Sequence, residues 1–68
     1  MTNTKKLEEY IDKSGYKISH LAKALNITSY ALALKITNKS EFKASEIDIL
    51  SKVLDIPVED RMSIFFAQ

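Results

Sequence analysis

Residues 17–39 carry two helical patterns that meet at a tight corner, and this stretch limits what the rest of the chain can be. Ile18, Leu21, Ala22 and Leu25 recur at i, i+3, i+4 and i+7, which is one face of a helix over Ile18–Leu25. Asn26 follows, a residue that tolerates the left-handed backbone in which helices often end. Ile27 is apolar and plugs the corner. Thr28 is a good N-cap for a second helix over Ser29–Thr37 that points Leu32 and Ile36 inward, and Asn38 ends it as Asn26 ended the first. Two helices joined by so short a turn cross steeply and form a helix-turn-helix unit. The remaining segments read as its support.

A first helix is expected over Thr4–Ser14, with Thr2 and Asn3 as further cap candidates. Its inner stripe is Leu7, Tyr10, Ile11 and Ser14, and Gly15 stops it. Glu8, Glu9, Asp12 and Lys13 make its solvated face. Tyr16 is expected to tuck over the junction with the next helix. After the corner, Ser40 to Lys43 reads as a loop anchored by Phe42. A helix over Ala44–Leu54 follows, with Ile47, Leu50 and Leu54 inward and Ile49 and Val53 beside them. Asp55-Ile56-Pro57 breaks the pattern, and Pro57 suits the first turn of a last helix. Glu59 and Asp60 there complement the helix dipole. Val58, Met62, Phe65 and Phe66 fall on the apolar face of that helix, and Ile64 falls off it. No alternating strand pattern is present, so the expected fold class is all-α, five short helices in one domain over residues 1–68.

A chain of 68 residues buries only about 60% of its unfolded surface. Small cores of this kind are often completed by a second copy. Cysteine is absent and histidine occurs once, which excludes a disulfide staple and a thiolate metal site and leaves no basis for a metal or other cofactor. No apolar run suits a signal peptide or a membrane span, so a soluble cytoplasmic protein is expected. The net charge of +1 conceals an uneven distribution. Residues 1–16 sum to 0, residues 17–43 to +4 and residues 44–68 to −3. The basic excess therefore lies on the corner, as expected for a domain that meets nucleic-acid phosphates.

The order Leu21-Ala22, Leu25, Ile27-Thr28, Leu32, Ile36 and Asn38-Lys39 resembles the helix-turn-helix of the phage Cro/CI-type (XRE-like) repressors. Asn38-Lys39-Ser40-Glu41-Phe42-Lys43-Ala44-Ser45-Glu46-Ile47 and the closing Ile64-Phe65-Phe66 are similar to a subgroup of short phage and prophage Cro-like proteins. The resemblance spans roughly residues 4–66 and implies a lambda-repressor-like fold with the third helix in the major groove. Where the family often has glutamine to touch a phosphate at the start of the second helix, this chain has Ile18. Asn26 and Asn38 replace the family's glycines. The positions that usually carry long polar readers are Ser29, Tyr30, Ala33, Leu34 and Thr37.

Such a face makes few bidentate base contacts. Ser29 and Tyr30 can exchange hydrogen bonds with base edges, and Ala33 and Leu34 can meet thymine methyl groups. Lys17, Ser19, Thr28, Lys35, Lys39 and Lys43 are the expected phosphate contacts. Met62, Phe65 and Phe66 are the expected dimer interface, Phe65 also capping the core of its own subunit while Phe66 reaches the partner. A two-fold dimer sets its reading helices about 34 Å apart, one DNA turn. The resulting expectation is a transcription regulator that binds a double-stranded DNA operator as a homodimer, with no membrane or small-molecule partner. The alternative is the same scaffold turned to protein binding, as an antirepressor or adaptor. An enzyme is not expected, because cysteine is absent, histidine occurs once and no carboxylate pair is set on an apolar patch that would shift its pKa.

Overall fold

Among the described residues, five helices form the regular structure: α1 (Thr4–Ser14), α2 (Ile18–Ala24), α3 (Ser29–Ile36), α4 (Ala44–Val53) and α5 (Val58–Phe65). The computed structural model describes residues 1–67, and no strand occurs among them. The chain is all-α. The bounds expected for the first helix hold at both ends, while α2, α3 and α4 each stop one residue early, with Leu25, Thr37 and Leu54 as C-caps. Pro57 stands just outside α5, as its N-cap. At α1 the N-cap is Asn3, whose side chain accepts from the Lys6 N–H at 3.1 Å.

Gly15 is the chain's single glycine, and it ends α1 at φ 76°. The other internal helix ends must place an L-residue in the left-handed region. Asn26, Asn38 and Asp55 do so at φ 58°, 66° and 56°. All three ends use the same closure. The second N–H past the cap turns back to the helix: Ile27 to the Ala22 carbonyl at 3.0 Å, Lys39 to Leu34 at 2.8 Å and Ile56 to Ser51 at 2.8 Å. The N–H of the left-handed residue itself bonds Lys23, Lys35 or Lys52. These bonds satisfy carbonyls that a helix end would otherwise leave without partners. They offset a backbone cost of about 1–2 kcal/mol per L-residue, less for Asn and Asp.

Within the bundle α2 packs on α3 and α4, and α1 packs on α3 and α5. Leu7, Leu21, Leu32, Leu50 and Ile64 have essentially no exposed surface, and burial of each contributes about 2 kcal/mol. Ala22 is also buried, and its small side chain sits on the α2 face that meets the neighbouring helices. Phe42 and Ile47 are partly buried against this core.

Two expectations need correction. Tyr16 does not tuck into the junction; it is exposed and stacks on His20 with ring centroids 4.7 Å apart. The apolar face of α5 is also rotated from the one expected. Ile64 and Phe65 are buried, whereas Val58, Met62 and Phe66 point outward. The cause is tertiary. The Asn3 N–H donates to the Ile64 carbonyl at 2.6 Å, and the Tyr10 hydroxyl donates to the Asp60 carboxylate at 2.5 Å, so α1 sets the roll of α5. Phe65 meets Phe42 edge to face at 5.4 Å. Phe65 is thus core, as expected of a residue that caps its own subunit, and has no surface to offer a partner, while Met62 and Phe66 are exposed.

The start of the chain straps the end of α3. The Thr2 N–H donates to Asn38 Oδ1 at 2.8 Å, and Asn38 Nδ2 donates to the Thr2 carbonyl at 2.8 Å. The Thr4 hydroxyl donates to the Ile36 carbonyl at 2.5 Å. One side-chain amide therefore pairs with both backbone groups of a residue 36 positions away.

Candidate nucleic-acid interface

The corner of α2 and α3 is built from local bonds. Thr28 is extended, and its Oγ1 accepts from the Ala31 N–H at 3.0 Å. That leaves the threonine O–H free to donate outward. The bond also directs the first turn of α3 so that Leu32 and Ile36 face the core. The opposite face then carries Ser29, Tyr30, Ala33 and Thr37, all exposed, with Leu34 half-buried beside them. Tyr30 is 75% exposed, far more than packing on its own helix would leave it. The Thr37 hydroxyl donates back to the Ala33 carbonyl at 2.8 Å, so what it offers outward is mainly an acceptor.

Lys17, Ser19, Lys39 and Lys43 are exposed, as is Lys23. Lys17 caps α2, Lys39 follows α3 and Lys43 caps α4. Among the described residues none of these lysines pairs with an acidic side chain. Their charge is therefore available to an external anion. Glu41 is the single opposing charge in the segment.

Lys35 does not belong to this set. It is buried at 8% exposure, and its ammonium lies 2.5 Å from the buried Glu46 carboxylate. The position is on the inner side of α3, three residues after Leu32, and the long stem carries the charge into the interior rather than out. With its tip committed to Glu46, Lys35 has no free charge for a phosphate. Glu46 also accepts from the Lys43 backbone N–H at 2.8 Å. Burial opposes the charged form of Glu46. The Lys35 and Lys43 hydrogen bonds and the two nearby ammonium charges outweigh it, and the carboxyl is held below its ordinary 4.5. The role of Glu46 was readable in part: a glutamate at the third helical position commonly reaches back to the cap N–H. Its pairing with Lys35 was not, because the two belong to different helices.

On α5, Val58, Met62 and Phe66 recur at i, i+4 and i+8 and are each more than half exposed. They form one apolar stripe, Val58 and Met62 on the 8-residue α5 and Phe66 at its C-cap. Asp48 pairs with Lys52 within α4 at 3.1 Å and reaches across to Arg61 of α5 at 3.7 Å; the exposed pair with Lys52 adds little stability. Among the described residues, no three His, Cys, Asp or Glu side chains gather as a metal-binding group, and no helix is long and apolar enough to cross a membrane. Comparison with family models, curated proteins and solved structures finds no match for this chain.

Proposed function

We propose that this chain is a sequence-specific double-stranded DNA-binding regulator with a lambda-repressor-like helix-turn-helix, acting in the manner of a Cro-like repressor. The observation that carries the proposal is the pairing of an exposed α3 face with unpaired lysines around it. Ser29, Tyr30, Ala33 and Thr37 supply a face of the size and polarity that a major groove accepts. Lys17, Lys39 and Lys43 supply charge at the ends of the helices that flank it. Thr28 adds a neutral hydroxyl donor at the start of α3. Long polar readers are sparse, so recognition rests on phosphate contacts, thymine methyl groups and DNA shape.

Affinity per subunit is modest on this account, and two subunits bind a roughly palindromic site. The stripe Val58, Met62 and Phe66 is the surface through which they pair. It is small beside the roughly 800 Å² per partner typical of stable interfaces. Pairing is therefore weak in free solution and is completed on DNA.

The test is a titration of duplexes, selected from a random pool on this protein, at several salt concentrations. Three lysine contacts per subunit correspond to a slope of log affinity on log salt of about −5 per dimer. A flat salt dependence, or equal affinity for selected and unselected duplexes, refutes the proposal. One observation favours a second reading. The apolar character around Tyr30, Ala33 and half-buried Leu34 also suits a protein partner, as in an antirepressor or adaptor. In that case selection yields no preferred duplex at any salt concentration.

A further inference from the structure

Among the described residues, one ion pair is buried on both sides, and it joins α3 to α4. A single oxygen, Glu46 Oε1, accepts from Lys35 Nζ at 2.5 Å and from the Lys43 backbone N–H at 2.8 Å. Lys35 lies in the last turn of α3, and Lys43 is the N-cap of α4. Between them runs the connection that carries Lys39. Glu46 therefore grips both ends of the segment whose exposed lysines flank the α3 face.

Stability alone is a poor reason for such a pair. Taking two charges out of water is costly, and well-packed apolar replacements of buried ion pairs are often neutral or stabilising. What apolar replacements lack is direction. Two hydrogen bonds converging on one oxygen fix distance and angle, which a leucine contact does not. We infer that Glu46 is a positioning residue for the candidate interface: it holds Lys39 and Lys43 in a set relation to the reading face of α3 and touches no nucleic acid itself. This inference rests on the DNA-binding reading above for its functional consequence. Its structural half, the fixing of the connection, stands independently.

The discriminating variant is Lys35→Met/Glu46→Leu, which removes both charges and refills the space. Three measurements are made on it. Thermal unfolding reads stability, and the expected midpoint is unchanged or higher. Amide hydrogen exchange is read at Lys39 and Ser40, which bond the Leu34 carbonyl at 2.8 and 3.2 Å and so report the connection without touching Glu46. Their exchange is expected to quicken about tenfold, the change that loss of about one hydrogen bond's worth of local stability gives. Affinity for duplexes selected on the unmodified chain is expected to fall, with the salt slope shallower by about 2–4 per dimer as the phosphate contacts of Lys39 and Lys43 loosen. Should this variant not fold, Lys35→Met/Glu46→Gln takes its place, since glutamine keeps the acceptor for the Lys43 N–H. It is expected to lose part of the slope. Unchanged exchange at Lys39 and Ser40, or faster exchange with unchanged duplex binding, overturns the positioning role. If the unmodified chain selects no duplex, the DNA-binding reading fails, and the exchange measurement alone decides whether Glu46 fixes the connection.

Discussion

Asn38 offers the sharpest test of how this fold is held. Its φ of 66° is a conformation that glycine adopts freely. If Asn38 were only a helix stop, Asn38→Gly would be neutral or slightly stabilising. The structure gives the opposite sign. The Asn38 amide makes two bonds of 2.8 Å to the backbone of Thr2, and glycine keeps neither. Thr2 is buried, so its N–H and carbonyl lose their partners in a place that water reaches poorly. Asn38 itself is exposed, which sets each bond near the low end of the usual range, about 0.5–1 kcal/mol. The backbone strain relieved by glycine is offset by the greater freedom it gives the unfolded chain. The net loss is therefore about 1–2 kcal/mol. For a domain of this size that lowers the thermal midpoint by about 4–16 °C. Asn38→Asp is a useful companion, because it keeps the acceptor for the Thr2 N–H but turns a carboxylate toward the Thr2 carbonyl. It should lose at least as much. Differential scanning calorimetry on the three proteins decides the matter. A glycine variant that melts at or above the parent temperature refutes the account of the strap.

Other consequences are equally direct. Tyr30→Ala should leave stability within about 0.5 kcal/mol, because the side chain is 75% exposed, yet reduce discrimination between selected and unselected duplexes in a binding titration. Phe66→Ala should shift the complex with a selected duplex from two bound subunits toward one in sedimentation velocity, with little change in melting; an unchanged share of doubly bound duplex removes α5 from the interface. Glu46 has a folded pKa below its unfolded value of 4.5, so its contribution to stability is present above that value and is lost as pH falls through the folded pKa. Urea unfolding of Glu46→Gln across the acid range should accordingly show a weaker protein near neutrality with a flatter acid limb. Tyr10 behaves oppositely: the hydrogen bond to Asp60, with burial and nearby carboxylates, raises its pKa above 10.0. Its contribution is thus present below that value and lost as pH rises through the folded pKa, a loss that Tyr10→Phe should abolish.

The helices and their stops were legible because they follow from near neighbours. The period of Leu21, Ala22 and Leu25, the Thr28 cap, and the left-handed tolerance of Gly15, Asn26 and Asn38 are properties of a few consecutive residues, and the structure keeps them within one residue. The exposed face of α3 followed from the same period, because once Leu32 and Ile36 turn inward, Ser29, Tyr30, Ala33 and Thr37 have no other place to go. What sequence could not decide lies in contacts between distant residues. Local spacing put Val58, Met62, Phe65 and Phe66 on one face of α5. The bonds from Asn3 and Tyr10 instead chose Ile64 and Phe65 for the core. A lysine beside a basic loop reads as a phosphate contact until Glu46, 11 residues on, is seen to take its charge. A helix settles its own period and its ends. Which side it turns inward, and which charges it keeps for solvent, depends on the partners that packing brings to it, and those are set only when the whole chain closes.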